Sequence, residues 1–379
     1  MTAWNSPQER DAYFMRKALQ EAVRGQGRTA PNPLVGCVLV KDDRIIGRGH
    51  HACAGTPHAE AHALANATER VQGAEVFVTL EPCAHHGRTP PCAQALRDHG
   101  VARVVAGMID PDPRVQGRGM QILQDAGIET TVGVLEDACR QINEAFIIRM
   151  RHHRPHVTLK LAGSLDGRIA TFTGDSQWLT CEASRRRVHQ TRNRVDAILI
   201  GAGTAIADQP NLTTRLPDLQ NTRSPHRYIL DSTLRTPIEG PLFETALAHT
   251  TFVCTDAAPQ ERQSAFEGAG VEVLRLPQDP DAPHVPLRPL LKEMYARGHM
   301  ELMVEGGAQI AGAFLDARLI DRLMLFVAPI LLGGKDAYPL VAGQGVAMVA
   351  DALRATDVRY EQIEKDLLIH AVFDDTFHA

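Results

Sequence analysis

Apolar positions along this chain switch repeatedly between a helical period and the continuous or alternating runs of strands. Phe14, Ala18, Leu19, Ala22 and Val23 recur at helical spacing behind Ser6-Pro7-Gln8-Glu9, a capping box with proline at the first helical position. The runs 35–40 and 44–49 read as strands about the turn Lys41-Asp42-Asp43, and a helix follows from Pro57. Strands over 75–80, 101–108 and 128–134 then alternate with helices near 92–100, 119–126 and 136–150. Such alternation predicts a three-layer α/β sandwich.

The basic segment R-M-R-H-H-R-P-H (149–156) reads as a solvated linker, which gives domains at 1–150 and 151–379. Beyond it, strands are expected at 157–162, 197–200, 227–231, 251–255, 271–276, 301–305 and 323–331. Two further β-rich runs within 358–373 turn about Asp366. Helices intervene, among them an arginine-rich one capped by Thr180. There are more strands than a regular βαβ repeat needs, and the last hairpin must be antiparallel. The second domain is therefore α/β with a mixed sheet. The loop 201–215 opens like a dinucleotide fingerprint, but Ile206 stands where the third glycine belongs, and the match fails. Strand, Gly306-Gly307 and a helix start form either a phosphate cradle or a bare tight turn; the spacing leaves both open.

The densest chemistry lies between Thr56 and Cys92. His58, Cys83 and Cys92 are ligands of the kind that hold a catalytic zinc with its fourth position open. Glu60, two residues past the histidine, is poorly placed as a co-ligand but within reach of a metal-bound water. His-x-Glu followed by Pro-Cys and a second cysteine is the zinc deaminase pattern, in which the glutamate shuttles protons. Thr56 and Pro57 predict a helix start that places His58 in the first turn. Pro82 and Pro91 predict the same at Cys83 and Cys92, where the helix dipole favours thiolate. Eight residues separate the cysteines, where the general signature has two. A metalloprotease pair of His58 and His62 is excluded, because Ala59 stands where its glutamate must be.

Composition narrows the classes. Charged residues make up 22% of the 379 and the formal charge is −5, with 5% aromatics, so no basic, stacking surface for nucleic acid is expected. A nucleic-acid deaminase is thus disfavoured. A deaminase fused to a non-catalytic nucleotide-binding module is excluded only weakly. The N-terminus carries no apolar signal region, and the longest apolar run, 323–332, is broken by Pro329, so no membrane span is expected. Cys37, Cys53, Cys139, Cys181 and Cys254 read as free thiols in a reducing cytoplasm.

Several motifs together resemble the bifunctional deaminase–reductases of riboflavin biosynthesis. The first is P-C-A-H-H-G-R-T-P-P-C (82–92), with its long cysteine spacing. The others are K-L-A-G-S-L-D-G-R-I-A (160–170), S-Q-W (176–178), I-G-A-G-T with A-D-Q-P-N-L-T-T-R (200–215), and V-E-G-G (304–307). The resemblance spans both halves. It implies a cytidine-deaminase-like first domain and a dihydrofolate-reductase-like second domain, zinc and NADPH as cofactors, and a homodimer. The implied reaction removes an amino group from a diaminopyrimidinone ribosylamino 5′-phosphate, then reduces ribosyl to ribityl. Asn32 and His85 are the implied substrate contacts in the first domain. In the second, Ala162, Trp178, Thr204, Asp208, Ser232 and Gly307 are implied to face NADPH. Ser176, Arg192, Leu212, Arg215 and Glu305 are implied to surround the substrate, with arginine suited to its phosphate.

Overall fold

The computed structural model describes residues 4–84, 91–278 and 284–373. It divides into two compact units, Met1–His153 and Arg154–Ala379. Among the described residues no helix is long and apolar enough to cross a membrane.

In the first unit, α1 (Pro7–Ala22) begins where the Ser6 hydroxyl accepts the Glu9 N–H at 3.1 Å, and Glu9 reaches back to the Asn5 N–H. There follow β1 (Gly36–Lys41), β2 (Arg44–His50), α2 (Ala59–Ala65), β3 (Glu75–Val78) and α3 (Cys92–Asp98). Then come β4 (Arg103–Ala106), α4 (Arg118–Asp125), β5 (Glu129–Val132), α5 (Glu136–Ile142) and α6 (Glu144–His152). The strands pair in the order β2-β1-β3-β4-β5, antiparallel as far as β3 and parallel beyond it. Alternate side chains divide the sheet into two faces. Cys37, Leu39, Val76, Val78, Val104 and Ala106 join Ala59, Ala63, Leu96, Met120 and Leu123 of α2 to α4 in one core. The other face takes α1, with the Phe14 and Phe77 rings 5.3 Å apart. There the backbones approach so closely that a Cβ on Gly36 would lie 2.0 Å from the Ala18 carbonyl oxygen. This is the expected three-layer sandwich.

One expected helix is two. The break falls at Asn143, whose buried side chain accepts the Leu34 N–H at 2.8 Å and donates to the Leu34 carbonyl at 3.0 Å. Satisfying that strand entry takes the residue out of helical geometry (φ −107°, ψ 15°). The basic segment is not a linker either: α6 runs on to His152 with Arg149 buried, and the Arg154 guanidinium meets Asp321 with two bonds of 2.6 Å.

The second unit opens with β6 (His156–Ser164), β7 (Arg168–Ala170), α7 (Glu182–Arg192), β8 (Ala197–Gly201) and α8 (Ala202–Asp208). It continues through β9 (His226–Leu230), β10 (Thr250–Thr255), α9 (Gln260–Gly268), β11 (Glu272–Leu276), α10 (Leu287–Ala296), β12 (Glu301–Val304) and α11 (Ala308–Asp316). β13 (Arg322–Ala328), β14 (Tyr338–Pro339), β15 (Asp357–Ile363) and β16 (Asp366–Val372) complete it. The main sheet runs β11-β10-β9-β8-β12-β6-β13-β16-β15. It is parallel from β11 to β13, and β16 runs antiparallel to both its neighbours β13 and β15, so the sheet is mixed as expected. Leu159, Leu199 and Val304 pack with Leu290, Met294 and Phe314 of α10 and α11 on one face. Ile198, Ile200 and Met303 pack with Ala205 and Phe266 of α8 and α9 on the other.

Two details of this unit differ from expectation. α7 is entered at Cys181 rather than Thr180, because the buried Asp366 carboxylate accepts the Cys181 N–H at 2.7 Å and the Ser184 hydroxyl at 2.6 Å. Asp366 is therefore the first residue of β16 and a cap for a distant helix, not a turn. In addition, the first part of the segment read as a loop, 202–208, is helix α8.

Asn143→Ala strips both Leu34 backbone groups of a buried partner and should destabilise the protein by about 2 kcal/mol. Equilibrium denaturation followed by circular dichroism measures this; an unchanged midpoint would remove Asn143 from the account of the α5–α6 break.

Candidate active sites

The carboxyl end of β3 and the starts of α2 and α3 meet at one point. His58 is the N-cap of α2 in extended conformation (ψ 162°), which starts the helix at Ala59 rather than Pro57. The Thr56 hydroxyl instead closes a turn, donating to the Cys53 carbonyl at 2.7 Å. Cys92 is the first residue of α3. Cys83 heads no helix; it lies in irregular chain, and its sulfur accepts the Cys92 N–H at 3.3 Å. The thiolate thus meets the α3 N-terminus from outside.

His58 Nδ1 is 3.6 Å from Cys83 Sγ and 3.4 Å from Cys92 Sγ. Tetrahedral zinc with bonds of about 2.3 Å to sulfur and 2.0–2.1 Å to nitrogen implies a sulfur–nitrogen edge of about 3.6 Å. The three donors fit that ion without rearrangement and leave its fourth position open. The Cys92 thiol donates to the Cys83 sulfur, which pulls the Cys83 thiol well below its ordinary range and holds Cys92 up. Glu60 is 3% exposed, and burial pushes its carboxyl up to about 7. A carboxyl so poised passes protons in either direction near neutrality.

Around this point stand groups that motif reading overlooked. His51 is buried; its Nδ1–H donates to the Pro57 carbonyl at 3.2 Å, leaving Nε2 to accept from the Asn32 amide at 3.0 Å. Its ring lies edge-on to His58, with centroids 5.8 Å apart. Asn32 is thereby fixed beside the ligands. Glu81, also buried, accepts the N–H groups of Asp110, Gly117, Gly119 and Met120 at 2.8 to 3.4 Å. Gly119 is pressed onto the Pro82 carbonyl, where a Cβ would come within 1.8 Å. Asp110 is buried nearby, and burial pushes its carboxyl up to about 7. His85 lies outside the described residues.

The second unit collects its candidates at the carboxyl ends of parallel strands, where ligands of open α/β sheets bind. Ala162 is near the end of β6, Thr204 lies in the first turn of α8 after β8, Ser232 follows β9, and Glu305 to Gly307 follow β12. Gly307 has φ 68°, and a Cβ there would lie 3.0 Å from the Thr204 hydroxyl. Glycine thus keeps a backbone cradle open at the start of α11, as a phosphate needs. Asp208 ends α8 and is exposed. Ser176 and Trp178 lie between β7 and α7; Trp178 is not core but 69% exposed, under the Arg185 guanidinium at 4.7 Å.

Arg192 holds Glu305 with two bonds of 2.7 Å and donates to the Thr213 carbonyl at 3.2 Å. Both side chains are nearly enclosed, at 12% and 6% exposure. The guanidinium fork is thus engaged by Glu305 and by the Thr213 carbonyl. Arg215 is exposed, with its guanidinium donating to the Thr213 hydroxyl at 3.4 Å. Leu212 is left-handed (φ 53°) and its side chain packs in the core, so any substrate contact must come from its backbone. Val304 pairs with Leu159, so Lys160 stands level with Glu305; burial lowers its amine. Burial and the two arginines bring His189 down to about 4. Lys160 opens the 160–170 motif but is not singled out by it, and His189 carries no motif signal; strand and helix register brings both here.

Known proteins match over both units. Residues 8–108 fit the model of the cytidine and deoxycytidylate deaminase zinc-binding region, and residues 155–369 fit that of the RibD C-terminal domain. The riboflavin biosynthesis protein RibD of Escherichia coli is 42% identical over 373 residues, covering 96% of this chain and 99% of that one. The chain belongs to the RibD family. It is accordingly a riboflavin-biosynthesis enzyme with deaminase and reductase activities. RibD of Bacillus amyloliquefaciens is 40% identical over 96% of this chain and 97% of that one. An Acinetobacter baumannii RibD structure has a TM-score of 0.85 at 37% identity, covering 97% of this chain and all (100%) of that one. The Thermotoga maritima diaminohydroxyphosphoribosylaminopyrimidine deaminase/5-amino-6-(5-phosphoribosylamino)uracil reductase has a TM-score of 0.84 at 34% identity, again covering 97% and 100%.

Glu81→Gln keeps the shape but removes the charge that gathers four N–H groups behind Cys83. Zinc retention should weaken about 10- to 100-fold, as for other groups that orient metal ligands. Metal content after graded chelation measures this, and wild-type retention would reduce Glu81 to a bystander.

Proposed function

We propose that residues 1–150 carry a zinc-dependent deaminase acting on a diaminopyrimidinone ribosylamino 5′-phosphate, and that residues 151–379 carry an NADPH-dependent reductase of its ribosyl group. The observation that supports this most directly is the His58, Cys83 and Cys92 triangle, with zinc-compatible edges and a buried Glu60 two residues from its histidine.

Zinc held by these three residues supplies activation of the attacking water. Glu60 takes one proton of that water as its oxygen joins the ring carbon and passes it to the ring nitrogen. It then takes the second proton from the added hydroxyl as the carbonyl forms and gives it to the leaving amine, which departs as ammonia. Asn32, steadied by His51, orients the substrate, and His85 is a further contact. Burial keeps Glu60 from being levelled by bulk water, so one carboxyl serves as base and then acid.

In the second unit NADPH supplies the hydride. Thr204, Ser232, Ala162, Asp208, Trp178 and the Gly307 turn hold the cofactor along the carboxyl ends of the strands. Ser176, the Leu212 backbone, Glu305 and Arg215 face the substrate. Arg215 takes the phosphate, while Arg192 keeps Glu305 ionised and in place. The enzyme works as a cytoplasmic homodimer on a small molecule, without nucleic acid or membrane.

The test is to give purified, zinc-loaded protein the diaminopyrimidinone ribosylamino phosphate, following ammonia and then NADPH absorbance. Ammonia release followed by NADPH oxidation is expected. Ammonia alone would reduce the second unit to a binding module, and no ammonia would overturn the substrate. Glu60→Gln should keep its zinc while ammonia release falls at least about 100-fold; full turnover would end its role.

The two arginines should separate. Arg215→Ala removes an exposed phosphate contact and should raise the reductase KM roughly 10- to 100-fold with kcat little changed. Arg192→Ala leaves Glu305 buried without its partner and should cost about 3–5 kcal/mol of stability. Steady-state kinetics with thermal denaturation distinguish them, and equal effects on KM and stability would refute the division.

A further inference from the structure

The opposite end of the reductase sheet carries a second constellation, unconnected with either reaction. The parallel register sets Thr251 of β10 level with Tyr228 of β9 and with Glu272 of β11. Side chains alternate along a strand, so His226 and Tyr228 share a face with His249, Thr251 and Glu272. These are the amino ends of three adjacent strands, away from Ser232 and the other groups at the carboxyl ends. Arg297 and His299, just past α10, close over them: Arg297 donates to Glu272 at 2.9 Å, and the Tyr228 hydroxyl meets His299 Nε2 at 3.0 Å.

One ligand atom each from His226, His249 and Glu272 lies within 4.8 Å of the other two. His249 Nε2 is 3.3 Å from Glu272 Oε2. Zinc bonds of about 2.0–2.1 Å to nitrogen and oxygen at tetrahedral angles require an edge of about 3.4 Å, so that pair already has the spacing. The Thr251 hydroxyl lies 2.7 Å from His226 Nε2 and 2.6 Å from Glu272 Oε2. The imidazole and the carboxylate therefore both aim at the position of the Thr251 oxygen. The His226 and His249 rings are 4.3 Å apart and near perpendicular, so the two imidazoles converge rather than stack.

We propose that His226, His249 and Glu272 form a second metal site, taking a divalent ion of the zinc class through two imidazole nitrogens and one carboxylate oxygen. On binding, His226 Nε2 exchanges the Thr251 hydroxyl for the ion, and Glu272 Oε2 exchanges part of its contact with Arg297. Arg297 also holds Glu272 Oε1 at 2.8 Å, and so keeps the carboxylate oriented from behind. The fourth position is left to water. With no thiolate among its donors the site prefers zinc, cobalt or nickel to Cu(I). Because it joins three strand starts and faces no substrate candidate, the ion fastens the sheet rather than taking part in hydride transfer.

Cobalt(II) distinguishes this site from the cysteine one by spectrum. Untagged full-length protein is stripped with chelator and titrated with Co2+, in wild-type form and as His249→Ala. The His249 side chain is 60% exposed, so its removal leaves the fold intact. The wild type should bind one more cobalt than the variant. The missing ion should take with it only ligand-field bands, and the thiolate-to-cobalt charge-transfer bands of the Cys83 and Cys92 site should be unchanged. A difference of one ion supports the site however well the cysteine site fills, so the two readings fail separately. Equal cobalt in both proteins would overturn the proposal and leave the cluster as a self-satisfied polar network. Cys83→Ala offers a second check: it should retain one cobalt with no charge-transfer band, and binding none would overturn the proposal too.

Discussion

A buried carboxylate placed just beyond a central strand is the constraint on which each catalytic region depends. Glu81 follows β3 and gathers the N–H groups of the chain from Asp110 to Met120. That gathering leaves Pro82 no freedom, because Gly119 already touches its carbonyl. Cys83 comes next in the chain, so its sulfur is set by a charge it never contacts. An ionised group can stay buried here only because several dipoles point at it.

The second unit uses the same device with a different partner. Glu305 follows β12 directly, and its charge is met by the fork of Arg192 instead of by backbone. The Arg192 bond to the Thr213 carbonyl extends the hold to the loop that carries Leu212 and Arg215. From below, Arg227 secures the same loop: it is fully buried and donates to the carbonyls of Asn211, Pro241, Leu242, Glu244 and Ala248. Its charge is spread over peptide dipoles rather than paired with a carboxylate, and burial brings it down to about 10. The loop that carries Leu212 and Arg215 is thus anchored by one cation from α7 and one from β9.

Where sequence reading went astray, a long-range bond had replaced a local one. Ser6 caps α1 as written, since its partner Glu9 is three residues away and nothing competes. Thr180 resembles a cap equally well, yet α7 is capped by Asp366 from the far end of the chain. Asn143 looks like an ordinary helix residue until Leu34 is brought against it. The basic stretch at 149–156 looked solvated, because nothing nearby in sequence announces Asp321 as the partner of Arg154.

The sequence by itself determined the two α/β units, the mixed second sheet, and the chemical types of the deaminase centre. Period and the His-x-Glu and Pro-Cys motifs are short-range signals, and the elements and the donor cluster that they announce are present in the fold. Tertiary structure alone decided that Arg192 is spent on Glu305, that Leu212 faces inward, and that His51, Glu81, Lys160 and His189 stand beside the motif residues. These facts depend on strand register and on buried charge. A buried charge takes whichever partner the packing brings within about 3 Å, however many residues lie between them in the chain.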